Sequence, residues 1–302
     1  MKLVKYRYRK KQRYGVLANN DKIVSLPGLA KRLQKRLPNT LEEFIVKGER
    51  AVETAEELLK KAPQSVIDDV SLPVNKVAVL APIAYPPKII CLGLNYADHI
   101  DESITEHGAL IPDEPIIFLK PHTTIIGPNE NIVKPSFVKQ LDYEAELAIV
   151  IGKKAKNVPI SEAESYIFGY TILNDVSARD IQFKDKQWTR GKSFDTFAPT
   201  GPCIVTRNQL QDTSNLYIYT WVNGELRQNG TTKNMVFNVY EIVHHLSRVM
   251  TLEPCDIIAT GTPAGVGFAM KPEPKFLQAG DIVRIEIEKI GVLENRIVEE
   301  KL

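Results

Sequence analysis

Two glutamates two positions apart precede a solidly apolar run: Asp142-Tyr143-Glu144-Ala145-Glu146, then Leu147 to Ile151. On a strand the side-chain period is two, so Glu144 and Glu146 point to one face. Neighbouring carboxylates at the edge of a core repel each other and lose hydration. A divalent cation offsets both effects. The alternative is a solvated face, as for Glu286 and Glu288. A third carboxylate, Asp175, ends a second apolar run, Tyr170 to Leu173. Three carboxylates suit Mg²⁺, Mn²⁺ or Ca²⁺ better than Zn²⁺. With one oxygen from each, a six-coordinate ion keeps about three positions for substrate and water. Three charges against +2 predict a loaded site near −1.

A second group follows the apolar segment 88–94. If Asn95 to Glu102 turns helical, His99 and Glu102 lie at i and i+3 and can hydrogen-bond. A carboxylate-held imidazole has a defined tautomer and raised basicity, as deprotonating a water requires. The alternative is a polar loop histidine. Residues 101–114 combine polar residues with Gly and Pro, as expected of a mobile lid. Lys192 is expected in a tight turn flanked by aromatic residues. The Gly-rich segment 258–267 follows an apolar strand, and its backbone amides can approach an anionic ligand. It lacks the lysine of a Walker A loop and the GxGxxG of a dinucleotide fold.

The elements that must position these groups are mostly strands. Short strands are expected within 1–26, with a turn at Asn19-Asn20-Asp21, and helices at about 28–37, 40–48 and 50–61. Lys61 to Pro73 mixes Pro, Ser and Asp, and a domain boundary is placed near residue 75. Beyond it, strands are expected at 88–94, 115–120, 143–152, 166–178, 216–226 and 283–291. Asn223-Gly224 marks a hairpin. One helix, about 239–250, opens on a capping box of Asn238 and Glu241. His244 and His245 fall off its apolar stripe and are expected to be solvated.

The chain has 302 residues, 43% of them hydrophobic and 25% charged, which excludes collagenous, disordered and membrane-embedded classes. Three dispersed cysteines, Cys91, Cys203 and Cys255, make a poor disulfide framework and suggest a reducing, cytoplasmic setting. No apolar stretch is long enough to span a membrane. Residues 1–13 hold seven Lys and Arg and no acid, leaving 32 basic against 37 acidic residues elsewhere, a net −5. The basic segment is expected to guard a sheet edge. The acidic remainder disfavours nucleic acid, so neither a nucleic-acid nor a membrane partner is expected.

Six segments, in order, resemble the fumarylacetoacetate hydrolase family: CLGLNYADHIDE (91–102), LDYEAELAIVIGK (141–153), GYTILNDVSARDIQ (169–182), RGKSFDTFAPTGP (190–202), VNGELRQNG (222–230) and DIIATGTPAGVG (256–267). The resemblance implies an α+β, mainly β fold. A small α/β N-terminal domain (1–75) would precede a β-rich catalytic domain (76–302). It implies a homodimer with one Mg²⁺ or Mn²⁺ per subunit. By motif position, Glu144, Glu146 and Asp175 would be metal ligands, and His99 with Glu102 the catalytic dyad on the lid. Lys192 would face the substrate carbonyl, and Arg179, Gln182 and Thr262 would be substrate contacts. His122 stands where many members carry Ser, and is expected to be exposed. Lys186 replaces an aromatic substrate contact of some fumarylacetoacetate hydrolases, which argues against that substrate.

The implied activity is cleavage of a C–C bond in an acylpyruvate-type 2-keto acid via a metal-bound enolate. The dyad would activate water, and Lys192 would assist by hydrogen bonding. Decarboxylation of oxaloacetate or a related β-keto acid, and keto-acid isomerisation or dehydration, are alternatives on the same residues. A metal-binding protein without catalysis would not need His99, Glu102 and Lys192 together.

Overall fold

The computed structural model describes residues 1–19, 21–107, 112–185 and 187–301. Among them, twelve strands form one sheet. Its main path runs Ser71–Pro73, Lys22–Ser25, Lys11–Ala18, Lys2–Tyr8, Ala198–Thr206, Ile167–Asn174, Ala145–Ile151, Ile257–Ala259, Ile89–Gly93 and Ile116–Lys120. A second sheet orders Glu225–Thr231, Tyr217–Val222, Ile282–Ile287, Gly291–Glu299 and Ile132–Lys134. The structure is mixed α/β and dominated by strands, as expected.

The strand Ala145–Ile151 shows how sequence parity builds the core. It is buried along its whole length. Leu147, Ile149 and Ile151 join Ile218, Val283, Ile285 and Ile287 of the second sheet. Ala148 and Val150 join Phe44, Phe168 and the N-terminal helices on the other side. A strand covered on both faces reads as an unbroken apolar run. Truncating Ile149 to Ala would cost roughly 2–5 kcal/mol. Glu146 shares the parity of Ala148 and Val150, so its carboxylate enters the core with them.

The N-terminal residues differ from expectation in one respect. Lys2–Tyr8 lies inside the sheet, antiparallel to Lys11–Ala18 on one side and to Ala198–Thr206 and Ala78–Leu80 on the other. It is not an edge strand. Only part of Lys11–Ala18 is open on its far side, because its pairing with Lys22–Ser25 begins at Gly15. The helices Leu26–Arg32, Leu41–Lys47 and Glu49–Lys61 fall near their expected positions. A further helix, Gln64–Asp69, occupies the stretch read as a boundary, with Pro63 at its N-cap.

Two short helices, Arg179–Asp185 and Trp188–Lys192, carry Arg179 and Lys192, the second in place of the tight turn expected there. Helices this short are marginal alone and depend on tertiary packing. Gly191 sits where a Cβ would meet the Gln182 backbone at 2.7 Å. The Trp188 ring fills the space over Gly93, where a Cβ would lie 1.8 Å from Cζ3. Helix Val239–Val249 carries the expected capping box. Its His244 and His245 are half-buried rather than solvated, and His244 Nδ1 donates to Val158 O at 2.7 Å. The lid expected over 101–114 starts within helix Ala97–His107; 108–111, like Lys186, lie outside the described residues. No described helix is long and apolar enough to cross a membrane.

Candidate metal centre and catalytic dyad

Two paired strand ends converge on the site. Glu144 precedes and Glu146 lies within Ala145–Ile151; Asp175 follows Ile167–Asn174, whose Asn174 pairs with Ala145. All three carboxylates are buried, and each offers an oxygen within 4.8 Å of the others. Burial and the charges of Asp175 and Glu144 push the Glu146 carboxyl well above its usual range. Its Oε2 accepts from Gly261 N at 2.8 Å, and its Oε1 is buried without a hydrogen-bond partner. An orphaned acceptor beside two carboxylates is what a hard cation would satisfy.

Glu144 has the opposite balance. Burial alone would raise its pKa, but Lys192, Arg179 and, more weakly, His99 overcome this and hold it at about 2. Lys192 Nζ bridges Glu144 Oε2 at 2.8 Å and Asp175 Oδ2 at 2.7 Å. Burial pulls the lysine down, but the charges of Asp175 and Glu144 outweigh it and keep the ammonium protonated. Each carboxylate oxygen still has a second lone pair for a metal.

A residue not singled out in the sequence completes this shell. Lys120 ends the strand Ile116–Lys120, and its buried ammonium contacts Asp175 Oδ1 and Val176 O. The available signal was its phase, since it points inward with Phe118. Asp142 is a further buried carboxylate of the site. It accepts from the amides of Tyr143, Gly267 and Phe268 and from Arg179 Nε at 2.9 Å. Asp142, Glu144, Glu146 and Asp175 thus face Lys120, Arg179 and Lys192, four carboxyl groups against three cations. A divalent ion would leave these groups at +1, not the −1 expected from the carboxylates alone. The −1 leaves out the charges of Arg179 and Lys192 and that of Lys120, which lies 55 positions from Asp175.

The dyad forms as its spacing predicts. His99 Nδ1 and Glu102 Oε1 are 2.7 Å apart within helix Ala97–His107. The His99 ring stands edge-on to Phe268, which also carries the Arg179 guanidinium at 4.5 Å. The expected substrate contacts are engaged by protein partners. Arg179 uses Nη1 on Gln182 Oε1 at 3.0 Å and Nη2 on Glu144 Oε1 at 2.7 Å. Thr262 donates to Ala145 O at 3.0 Å. The Gly-rich segment does not present its amides to a free anion as expected. Gly261, Gly265 and Gly267 donate instead to Glu146, Glu102 and Asp142. His122 is exposed, as expected, and packs against Tyr85.

Comparisons with known proteins bear on the family and fold of the whole chain. Residues 88–298 match the family model described as fumarylacetoacetate (FAA) hydrolase C-terminal. The mitochondrial oxaloacetate tautomerase Fahd2a of Rattus norvegicus is 44% identical over 263 residues, covering 87% of this chain and 80% of the relative. The fumarylacetoacetate hydrolase of Exiguobacterium antarcticum is 39% identical with a TM-score of 0.81, covering 99% of this chain and 100% of that one. Maleylpyruvate hydrolase from Sphingobium sp. SYK-6, solved with manganese(II) and pyruvate, is 29% identical with a TM-score of 0.79 and full coverage of both chains. With its ordered motifs, carboxylate triad and fold all in agreement, this chain belongs to the fumarylacetoacetate hydrolase family.

Proposed function

We propose that this chain is a Mg²⁺- or Mn²⁺-dependent enzyme that cleaves the C–C bond of an acylpyruvate-type 2-keto acid through its enolate. One ion per subunit would be held by Glu144, Glu146 and Asp175. The observation that carries this reading is the carboxylate triad surrounded by Lys120, Arg179 and Lys192. Three buried cations beside the ion favour an anionic substrate, and all-oxygen ligation favours a hard cation. When bound, that cation would withdraw charge from a 2-keto group.

The chain's own residues supply the rest. Glu102 holds His99 at Nδ1, so Nε2 would serve as the base for a water or a substrate proton. Lys192, kept protonated, would donate a hydrogen bond toward oxygen where negative charge develops. Arg179, Gln182 and Thr262 would shape the wall against which the substrate carboxylate lies. We further propose a cytoplasmic homodimer, with residues 1–75 as a small N-terminal unit whose strands continue the main sheet, and with neither nucleic acid nor membrane as partner.

A second reading, keto–enol tautomerisation of oxaloacetate, is favoured by the relative at 44% identity. It moves a proton from the carbon beside the carbonyl to the carbonyl oxygen, or back, with no attacking water and no C–C bond cleavage. Oxaloacetate decarboxylation is a third outcome on the same residues.

The test uses EDTA-stripped protein with and without Mn²⁺, on acetylpyruvate and oxaloacetate side by side. NMR follows acetate, pyruvate and CO₂; the enol absorbance of oxaloacetate follows tautomerisation. Metal-dependent acetate and pyruvate from acetylpyruvate would support the hydrolase. Faster keto–enol exchange without CO₂ would replace it with the tautomerase, and CO₂ above the free-metal blank with the decarboxylase. No turnover of either substrate would overturn the proposal.

A further inference from the structure

We infer that Gln228 is a positioning residue that couples the metal-ligand strand to the dyad through the Gly-rich turn; this rests on the proposed function above. Gln228 lies on the strand Glu225–Thr231, is fully buried, and uses both ends of its amide. Its Oε1 accepts from Ala145 N at 3.2 Å and from Thr220 Oγ1 at 2.8 Å. Its Nε2 donates to Thr262 Oγ1 at 2.8 Å and to Pro263 O at 2.9 Å. Ala145 lies between the two metal-ligand candidates Glu144 and Glu146. Thr262 and Pro263 lie between Gly261, which holds Glu146, and Gly265, which holds Glu102 at 2.9 Å. One amide therefore links the carboxylate strand to the turn that anchors the dyad.

The turn has little freedom to adjust by itself. Gly265 has φ +100°, and a Cβ there would meet Arg227 O at 2.2 Å. Gly230 leaves room for Pro263, which would lie 2.3 Å from an added Cβ. The turn thus lies against the Gln228 strand, and Gln228, together with the direct Thr262 Oγ1–Ala145 O hydrogen bond, fixes its height over Ala145. A shift there moves the Gly265 amide and so the Glu102 carboxylate. Outer-shell amides of this kind set the orientation of groups they never touch.

Gln228→Glu separates the two sides of the link. It retains the acceptor for Ala145 N and Thr220, but faces Pro263 O with a second acceptor. The expected result is a roughly 10–100-fold loss of kcat with an unchanged Mn²⁺ dissociation constant. In a His99→Ala background the same change costs nothing further, because both act through the dyad. Amide exchange should quicken over 261–268 and stay unchanged over 145–151. Gln228→Asn, which is uncharged but too short to span both sides, carries the same expectation if the first variant does not fold. Equal losses with and without His99, or unchanged exchange over 261–268, would overturn the inference. If the wild-type chain turns over neither substrate, the functional reading fails and amide exchange alone decides the role of Gln228.

Discussion

Lys120 and Asp175 meet as a fully buried ion pair across 55 positions of sequence. The ammonium also reaches Val176 O at 3.2 Å, so it fixes both the carboxylate and the backbone beyond it. Asp175 therefore enters the metal site held on one oxygen by Lys120 and on the other by Lys192.

Removing one partner of such a pair strands a charge. Lys120→Met should destabilise the protein by roughly 3–5 kcal/mol. The exposed pair Lys61–Glu57 is the control, and Lys61→Met should change stability little. Urea unfolding of the metal-free variants measures both, and equal effects would contradict the structural role of Lys120.

The metal and the dyad should separate in mutants. Glu146→Gln removes a charged oxygen and should weaken Mn²⁺ binding by more than the roughly 10–100-fold typical of outer partners, with turnover falling too. His99→Ala should leave Mn²⁺ affinity intact while lowering turnover roughly 10²–10⁴-fold. Mn²⁺ titration by electron spin resonance, paired with steady-state rates, reads both. Full activity in a folded His99→Ala variant would remove the dyad from the mechanism.

Metal binding should release a proton from Glu146. Burial and the charges of Asp175 and Glu144 raise this carboxyl in the metal-free protein, so it holds a proton above the usual carboxylate range. A cation binds the ionised form, so affinity should fall as pH drops below the raised pKa and level off above it. Glu144, held at about 2, is already ionised and adds nothing to this slope. Calorimetry in buffers of different ionisation enthalpy counts the proton. The release should disappear in Glu146→Gln.

Gly93 has no side chain because Trp188 occupies that space. Gly93→Ala should push out the indole and loosen the helix Trp188–Lys192, at roughly 1–3 kcal/mol. Lys192 would lose its fixed position between Glu144 and Asp175. The check is a thermal melt together with the rate, and an unchanged rate in a destabilised variant would show that the helix holds Lys192 by other contacts.

What the residues determined alone is local. The two-residue period put Glu144 and Glu146 on one face, and the i, i+3 spacing joined His99 to Glu102 at 2.7 Å. The capping box of Asn238 and Glu241 is equally local, since both groups lie within one turn. Such features depend on a few neighbouring dihedrals and survive translation from pattern to structure. Other features required the packed chain. Lys120 reads as an ordinary strand lysine until the fold buries it against Asp175. Gln228 has no local partner, and its role exists only because two strands and a turn meet around one amide. The amides of Gly261, Gly265 and Gly267 have no side chain to reveal what they hold. The short helices around Arg179 and Lys192 are too small to form on propensity and appear only where tertiary contacts support them. Tertiary structure also decided the charge of the site, because cations brought from distant segments desolvate together with the carboxylates they neutralise.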